Sequence, residues 1–561
     1  MSRVPNIVSD YDGERERFRW AHMYDRMDWN APKRLNVAHE ACDRHADDAS
    51  RVALYYVGDE KQRRTVTFWE LSRRSNRVAN GLERLGVDRG DRVLTYLPRV
   101  PAHFEILLGT LKLGAVFAAV NERYGPDGLG YRIDDCRPAA VVTTASNSET
   151  VTAALESTEH DPTIVVLGDG DEATDVSYET LVTESEPTYD VVETEGEDPA
   201  ILCYTSGTTG QPKGVVHNHR WLAGCMAVLR YSVDLRDGDL YWSTADLGWL
   251  TGVVNTLGTW GLGVSLLTYE GEFDPETWVE ILEQYPVTAL YSVPTAYRML
   301  RKHDDRLSSD RLNLRCAASV GEPLSAELVE WADDVLDVPL TDTYGQTELG
   351  VVVIMNTPDI DVRPGSMGQP LPDTPIELLD PETREPIGDD ELGEIAIDCR
   401  ACGTDLEAGD HPFPSFFGGY WERPEKLEAC FEDGWFLTDD LATRDADGYY
   451  WFEGRADDVI LSAGYRIGPV EVETALESHD CVDEAAVVPK PDETRGNIVM
   501  AYVLPAADVE PTDEFADELR SHVRSQLSAH EYPREIEFVE AFPRTVTGKV
   551  DRGDLRERAT D

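Results

Sequence analysis

The sequence predicts an α/β protein: a large N-terminal domain of parallel-sheet βαβ subdomains plus a small β-rich subdomain, followed by a small α+β domain. Three observations indicate this fold. Helical and strand patterns alternate over most of the N-terminal part, short strands separated by turn residues follow from residue 376, and a charge-rich α+β pattern begins after residue 458. Alternating strands and helices favour a mostly parallel sheet, because the crossover helices cover its faces.

Local signals mark the first elements. Thr67 and Glu70 form a capping box that begins a helix, and Gly86 is placed to end it. A second helical pattern covers 102–112. An acidic stretch at 184–198 is interpreted as a surface connection. Apolar strands are predicted at 92–97, 115–120, 139–144 and 200–204.

The composition excludes some function classes. The chain has 561 residues, with 107 Asp and Glu against 51 Lys and Arg and a net charge of −56, so it lacks the basic face that a nucleic-acid binder needs. A chain that is this acidic and has few lysines resembles the proteins of extreme halophiles. In those proteins, concentrated salt screens the repulsion between acidic side chains. An ordinary acidic protein is the alternative.

Cysteine usage and hydropathy bear on location. Nine cysteines, an odd number, fit reduced thiols in a cytoplasm, and the first twenty residues carry four acids and lack an apolar stretch. We therefore expect a cytoplasmic protein. The uncharged segment 247–269 is long enough to span a bilayer, but its five glycines favour buried core and pocket wall.

The strongest chemical signal is the loop from Tyr204 to Gly214, which reads Tyr-Thr-Ser-Gly-Thr-Thr-Gly-Gln-Pro-Lys-Gly. Its small residues expose backbone N–H groups, and its hydroxyls and lysine add further donors, a combination that suits nucleotide phosphates. It is not the Walker pattern, because neither Ser nor Thr follows the lysine. The predicted phosphate-binding residues are Thr205, Ser206, Gly207, Thr208, Thr209, Gly210, Gln211, Pro212 and Lys213.

This loop resembles the signature of the adenylate-forming superfamily, which comprises acyl-CoA synthetases, luciferases and peptide-synthetase adenylation domains. Four further segments resemble that family's motifs in the same order, so the resemblance spans essentially the whole chain. They are Tyr344-Gly-Gln-Thr-Glu348, Thr438-Asp-Asp440, Gly454-Arg-Ala-Asp-Asp458 and Pro543-Arg-Thr-Val-Thr-Gly-Lys549.

The resemblance implies roles for residues of the first half-reaction. Lys549, Thr347 and Glu348 are expected to be catalytic; Lys549 would neutralise charge at the α-phosphate, and Glu348 would bind Mg²⁺. Asp440 would accept hydrogen bonds from the ribose hydroxyls, supported by Arg455. The remaining implied ATP and AMP contacts are Gly321, Glu322, Pro323, Asp342, Thr343, Tyr344, Gly345, Gln346 and Arg466.

One motif position departs from the family. Where the family has Thr-Gly-Asp, this chain has Thr438-Asp-Asp440, with Asp439 in place of the glycine. Aspartate tolerates unusual backbone angles better than most residues, so we expect Asp440 still to reach the ribose.

The resemblance divides the chain into an adenylation domain, 1–455, and a mobile C-terminal domain, 456–561, that carries the catalytic lysine. Asp457 matches the hinge position about which that domain rotates between half-reactions. The implied CoA contacts are Ala463, Gly464, Tyr465, Arg495, Arg524, Tyr532 and Arg534.

The acyl pocket follows by comparison within the family. Acetyl-CoA synthetases have a tryptophan at the position of Gly345, so the glycine is expected to leave room for a longer acyl tail. This feature favours the medium-chain branch. The remaining predicted pocket residues are Trp249, Gly252, Tyr291, Val320 and Gly321.

These features predict an AMP-forming acid–CoA ligase that uses ATP, CoA and Mg²⁺, with a carboxylic acid of short to medium length. A carrier-protein-loading enzyme, a luciferase-like oxidation and an inactive nucleotide-binding regulator are the alternatives. The sequence leaves open the acid, the oligomeric state and acylation of Lys549.

Overall fold

The computed structural model describes residues 17–168, 176–205, 212–307, 309–356, 360–400, 413–462, 465–492, 495–507, 509–527, 531–545 and 549–560, with the backbone alone described at 305, 457, 461, 465 and 466. The strands are β1 (Val52–Val57), β2 (Arg63–Thr67), β3 (Arg92–Tyr96), β4 (Val116–Ala119), β5 (Ala140–Thr144), β6 (Thr163–Leu167), β7 (Val176–Ser177), β8 (Pro199–Thr205), β9 (Lys213–Asn218), β10 (Leu240–Ser243), β11 (Ser265–Tyr269), β12 (Ala289–Ser292), β13 (Cys316–Val320), β14 (Leu340–Gly345), β15 (Val352–Met355), β16 (Gln369–Pro370), β17 (Ile376–Leu379), β18 (Gly393–Asp398), β19 (Gly419–Tyr420), β20 (Phe431–Glu432), β21 (Trp435–Arg444), β22 (Tyr450–Arg455), β23 (Ile460–Ser462), β24 (Tyr465–Ile467), β25 (Val482–Asp492), β26 (Gly496–Pro505) and β27 (Glu535–Phe538).

The α-helices of the described residues connect and cover these strands. They are α1 (Ala21–Tyr24), α2 (Val37–Ala41), α3 (Phe68–Arg84), α4 (Pro101–Lys112), α5 (Pro126–Cys136), α6 (Ser148–Glu156), α7 (Tyr178–Thr183), α8 (Leu222–Ser232), α9 (Leu250–Gly261), α10 (Pro275–Gln284), α11 (Pro294–Arg301), α12 (Ala326–Trp331), α13 (Pro424–Glu428), α14 (Pro469–Glu477), α15 (Asp513–Gln526) and α16 (Arg552–Thr560).

The predicted fold class is confirmed. Two large sheets have the orders β19-β9-β8-β4-β3-β5-β6-β7 and β16-β15-β14-β13-β12-β10-β11-β1-β2, and the strands at the centre of each pair in parallel. A third sheet, of β17, β18, β20, β21 and β22, is antiparallel and forms the β-rich subdomain. A fourth sheet contains β23 to β27.

Helix α3 shows how local signals position an element of the core. Both capping-box hydrogen bonds of Thr67 and Glu70 are present, and Gly86 follows the helix with φ of +87°. The helix buries Phe68 and Leu71, together with Val78 and Leu82 further along the same face. Burial of each such side chain is worth about 1.5–3 kcal/mol, so packing stabilises this helix more than its cap does.

The uncharged segment 247–269 folds as predicted into core and pocket wall. It contains helix α9 and strand β11, and almost all of its residues are buried. Within the described part of the chain, no helix combines the length and apolar character needed to cross a membrane.

The predicted boundary at 455/456 falls between two sheets. Strand β22 of the third sheet ends at Arg455, and β23 of the fourth begins at Ile460. Between them, 456–458 form one turn of 3-10 helix that includes the backbone of Asp457. Lys302 Nζ lies 3.4 Å from Asp483 Oδ2, so the fourth sheet is docked on the N-terminal part.

The charge of −56 predicts that salt stabilises the fold. Raising potassium chloride from about 0.1 M to 1 M shortens the Debye length from about 10 Å to about 3 Å and screens the acidic surface. We expect the melting temperature to rise by several degrees and activity to increase. Equal concentrations of an uncharged osmolyte are the control. An unchanged melting temperature across the salt series would contradict this prediction.

Candidate active site

A cleft of about 1560 Å³ opens at the carboxyl ends of the parallel strands β10, β12, β13 and β14. This is the edge where open α/β sheets bind ligands, because the loops that follow neighbouring strands converge there. The third sheet and the C-terminal domain line its other side. The predicted site residues that line it are Thr205, Lys213, Trp249, Tyr291, Val320, Gly321, Glu322, Pro323, Asp342, Thr343, Tyr344, Gly345, Gln346, Thr347, Glu348, Asp440, Arg455 and Lys549.

The predicted phosphate loop joins two antiparallel strands. Thr205 at the end of β8 pairs with Lys213 at the start of β9, and both face the cleft. This hairpin differs from the strand–loop–helix of a Walker site. The hydroxyl of Thr205 is buried and has no hydrogen-bond partner among the described residues. Pro212 accepts a hydrogen bond from Tyr131 through its carbonyl, and Ser206 to Gln211 lie outside the described residues.

Asp440 lies at the centre of a hydrogen-bond network on the floor of the cleft. Strands β21 and β22 place Asp440 directly opposite Arg455, whose guanidinium lies 3.3 Å from the carboxylate. The hydroxyl of Tyr344 donates to the same carboxylate at 2.7 Å, and Gln346 donates to it as well. Burial raises the pKa of Asp440, and Arg455 opposes that shift. The carboxylate is thus held rigidly where two hydroxyls of a ribose could donate to it.

Asp439 adopts the conformation that the family's glycine would supply. Its φ is +58°, in the left-handed region, and its backbone N–H donates to Glu394 at 3.0 Å. Its side chain is 68% exposed, whereas that of Asp440 is 6% exposed. The backbone at Asp439 in β21 therefore has a positive φ that glycine would adopt freely, and Asp440 is buried in the cleft wall.

The adjacent aspartates are expected to respond very differently to mutation. Asp440→Asn should raise the KM for ATP by about tenfold to 100-fold, since charge-assisted hydrogen bonds are worth about 1.5–3 kcal/mol. Asp439→Gly should change stability by no more than about 1 kcal/mol and leave the KM for ATP within about threefold, because glycine adopts positive φ freely. Thermal melts and ATP titrations check both. Equal effects of the two substitutions would contradict this arrangement.

Lys549 reaches the cleft from the C-terminal domain. Its ammonium nitrogen lies 3.8 Å from where a Cβ on Gly321 would be, an ordinary van der Waals distance, so the lysine lies directly beside this glycine, whose φ is +87°. The Lys549 side chain is accessible to solvent because the cleft is open. The surrounding protein nevertheless removes part of the hydration of its ammonium group, which lowers the pKa of Lys549. Glu322 and Asp440 oppose that shift and attract the ammonium group.

Glu322 is positioned by a helix that the sequence analysis did not identify as part of the site. Thr295 donates to its carboxylate at 2.7 Å, and Arg298 donates at 3.2 Å. Both belong to helix α11, and both line the cleft. No sequence signal marked them, because they are 27 and 24 residues distant from Glu322 and lie outside every motif.

Glu348 is held by Tyr420, a second residue that the motifs did not include. The Tyr420 hydroxyl donates to the Glu348 carboxylate at 2.8 Å, and the Lys213 ammonium lies 4.7 Å from the centre of the Tyr420 ring. This tyrosine therefore links the predicted metal carboxylate to the phosphate-loop lysine. Thr347, beside them in the same turn, accepts the Gly350 N–H through its carbonyl.

Asp342 and Thr343 form part of the opposite wall. Burial raises the pKa of Asp342 to about 8, although the backbone N–H groups of Thr343 and Leu324 lower it. The carboxyl is thus largely protonated at neutral pH. The hydroxyl of Thr343 donates to the Ser319 carbonyl at 2.6 Å and contacts the Tyr291 hydroxyl at 2.8 Å. These two hydrogen bonds fix the side chains of Thr343 and Tyr291 in the pocket wall.

The structure corrects two expectations for the acyl pocket. Gly252 is not among the described residues that line the cleft; a Cβ there would lie 2.1 Å from the Asp246 carbonyl oxygen, so Gly252 permits close backbone packing. Gly345 lines the cleft, but a Cβ on it would lie 2.4 Å from the Val351 carbonyl oxygen and 2.7 Å from the Val352 Cα. The space that a side chain would need is therefore filled by the backbone preceding and beginning β15.

The described side chains predicted to bind CoA do not line the cleft; they are Arg495, Arg524, Tyr532 and Arg534. Tyr532 lies between Arg524 and Arg534, whose guanidinium carbons are 4.5 Å and 4.3 Å from its ring centre. Arg495 makes a separate contact, with Asp492. Ala463 and Gly464 lie outside the described residues, and only the backbone is described for Tyr465 and Arg466. Their roles remain predictions.

The chain matches the AMP-binding enzyme family over residues 39–401 and the C-terminal domain of AMP-binding enzymes over residues 471–549. It belongs to the AMP-binding enzyme family. It is 36% identical over 570 residues to an acetyl-coenzyme A synthetase of Bacillus subtilis, covering 99% of this chain and 97% of that protein.

Two further comparisons agree. This AMP-binding enzyme is 32% identical to the mitochondrial acyl-coenzyme A synthetase ACSM4 of Rattus norvegicus, over 94% of this chain and 91% of that protein. A crystal structure of the anthranilate CoA ligase AuaEII with anthranoyl-AMP superposes with a TM-score of 0.85 at 28% identity, covering 94% and 98% of the two chains. The predicted membership of the adenylate-forming family is confirmed.

Proposed function

We propose that this AMP-binding enzyme is an acid–CoA ligase that converts a monocarboxylic acid, ATP and CoA into acyl-CoA, AMP and pyrophosphate. The observation that carries the proposal is Lys549. This lysine of the C-terminal domain lies in the cleft beside Gly321, between the carboxylates of Glu322 and Asp440 and among the other predicted ATP contacts. The relatives of this chain include an acetyl-coenzyme A synthetase and an acyl-coenzyme A synthetase, and the chain matches both over nearly their whole lengths.

In the first half-reaction an oxygen of the substrate carboxylate attacks the α-phosphorus of ATP, the P–O bond to the β-phosphate breaks, and pyrophosphate leaves. Asp440, braced by Arg455 and Tyr344, holds the ribose. The Lys549 ammonium neutralises the negative charge that grows on the α-phosphate in the transition state. Lys213 and the hydroxyl of Thr205 receive the departing phosphates at the mouth of the hairpin loop.

In the second half-reaction the CoA thiol loses its proton and attacks the acyl carbonyl, and AMP leaves with the bonding electrons. The Arg524–Tyr532–Arg534 cluster does not line the cleft here, so it serves the CoA phosphates only after the C-terminal domain has turned about the segment that contains Asp457. Arginine suits that task because its fork of donors matches phosphate oxygens.

Glu348 fits a magnesium ion. Magnesium binds through one or two carboxylates together with substrate phosphates and retained waters. Glu348 faces the cleft with its carboxylate anchored by Tyr420, and no cluster of three or more His, Cys, Asp or Glu side chains that could hold a metal occurs in the described ranges. Magnesium bound to Glu348 and the phosphates would offset phosphate charge.

The pocket wall indicates the class of acid. The apolar residues that line the cleft include Val228, Val254, Tyr291, Val320, Val351 and Val352, and Val351 and Val352 lie beside Gly345. Two arginines lining the cleft elsewhere are already engaged, Arg99 by the carbonyls of Thr244 and Gly271 and Arg123 by Glu272. An acid with one carboxylate and an uncharged tail therefore fits better than a dicarboxylic acid.

A panel of acids tests the proposal. Purified protein in molar potassium chloride is supplied with MgATP and one acid, with and without CoA, and AMP, pyrophosphate and thioester are measured. We expect AMP and thioester in equal amounts, both dependent on CoA, for at least one monocarboxylic acid, and little turnover of malonate. Acyl-AMP formation without transfer to CoA would favour carrier-protein loading, and its absence with every acid would contradict the proposal.

A further inference from the structure

Helix α9 presents polar side chains to the apolar part of the cleft. Thr251, Val254 and Asn255 all line the cleft, and Asn255 follows Thr251 by one helical turn, about 6 Å along the axis. Asn255 is only 2% exposed. An amide that is so deeply buried requires hydrogen-bond partners, because an unpaired buried polar group is costly.

The hydrogen bonds of the Asn255 side chain are incomplete. Its Nδ2 donates to the Ser243 hydroxyl at 2.9 Å, which ties α9 to the end of β10. Its Oδ1 accepts no hydrogen bond from the residues that the structure describes. An amide side chain has two N–H donors and an oxygen with two lone pairs, so most of this capacity is unused. The backbone of Asn255 is separately occupied, since its carbonyl accepts from Thr259.

The neighbouring polar groups do not satisfy the amide. The Tyr291 hydroxyl is engaged with Thr343. The side chains of Val228, Val254, Val351 and Val352 supply no donor. Thr251 lies on the same helical face, and its hydroxyl forms no hydrogen bond in the described structure. Two polar groups one turn apart therefore line the cleft, and neither the Asn255 amide oxygen nor the Thr251 hydroxyl has a hydrogen-bond partner in the described structure.

We infer that Asn255 selects acids whose tail carries a hydroxyl group, placed a few carbons from the carboxylate. A hydroxyl can donate to Oδ1 or accept from Nδ2, so it satisfies the amide in either orientation of that group. A tail that is entirely hydrocarbon would bury the amide unpaired, and sites with unpaired polar groups reject such analogues strongly. The inference rests on the proposed acid–CoA ligase function and specifies its substrate class.

The experiment compares hydroxy acids with their parent acids. The kcat/KM is measured for butyrate, 3-hydroxybutyrate, 4-hydroxybutyrate, pentanoate and 5-hydroxypentanoate by AMP release. We expect at least one hydroxy acid to exceed its parent by about tenfold or more. In Asn255→Leu, which replaces the amide with a hydrocarbon of similar shape, this ratio should fall to one or below. The ratio within one protein preparation cancels differences in the active fraction.

Two further variants keep the test decisive. Thr259→Val alters a buried hydroxyl on the same helix, one turn away, and should leave the ratio unchanged, so it reports general damage to α9. Ser243→Ala removes the hydroxyl that accepts a hydrogen bond from the Asn255 amide. This variant should lower the ratio of hydroxy acid to parent acid while keeping the amide in place. If the parent acids react but no hydroxy acid is preferred, or if Asn255→Leu keeps the preference, Asn255 serves only to join α9 to β10. If no acid releases AMP, the proposed function itself fails.

Discussion

Replacing Lys549 with alanine is expected to reduce acyl-AMP formation on the order of 1000-fold, because the removal of a group that stabilises charge only in the transition state costs about 3–4 kcal/mol. Lys549 lies in the cleft against Gly321, where Glu322 and Asp440 orient its ammonium group. Arg544 of the same motif also lines the cleft, but its guanidinium pairs with Glu484. Pyrophosphate release in the absence of CoA measures the loss.

The second half-reaction should be affected much less. Supplied acyl-AMP and CoA should still give thioester at a rate within about tenfold of the wild type, since the lysine acts on the α-phosphate during adenylation. Lys490→Ala is the matched control, because Lys490 belongs to the same domain and pairs with Glu535. Equal loss in both half-reactions would contradict a lysine that serves adenylation alone.

Gly345→Trp is expected to abolish activity with every acid and to lower the melting temperature by several degrees. A Cβ at this position would already lie 2.4 Å from the Val351 carbonyl oxygen, so even alanine forces the backbone next to β15 to move. Inserting bulk into a packed region costs about 1–3 kcal/mol, and an indole against backbone atoms costs more.

The outcome separates two explanations of this glycine. If Gly345 only set the length of the acyl pocket, Gly345→Trp would spare acetate and reject longer acids. The contact with Val351 and Val352 predicts instead that kcat/KM falls by a similar factor, on the order of 100-fold or more, for acetate, butyrate and hexanoate. Gly388→Ala is the control, since a Cβ at Gly388 has no neighbour nearer than 3.8 Å. Retained acetate activity in Gly345→Trp would refute the packing explanation.

Local patterns in the sequence were sufficient to predict much of the fold. The capping box at Thr67 and the apolar strands lie where expected, and β8 and β9 flank the predicted phosphate loop, because helix caps and strands depend on neighbouring residues. The motif order likewise identified the family. Asp439 has a φ of +58°, which aspartate adopts more readily than most residues, and the expectation that Asp440 reaches the ribose stays a prediction.

Contacts between distant parts of the chain could not be predicted in this way. Tyr420 binds Glu348 across 72 residues, and Thr295 and Arg298 hold Glu322 from a helix that precedes it. None of these three residues belongs to a motif. Their roles arise only when the segments that follow β12, β13 and β14 meet β19 of the other large sheet.

The sequence by itself determined the α/β class and the family, and it predicted a set of residues that line the cleft, because each of these depends on short segments with their own local chemistry. The tertiary structure alone decided what fills the space beside Gly345 and what Asn255 faces. A glycine shows that a side chain is absent, but whether that leaves a pocket or permits backbone packing depends on the approach of 351–352. An asparagine within an apolar helix is read as a core residue until the packing of α9 places its amide in the cleft wall with hydrogen-bonding capacity unused.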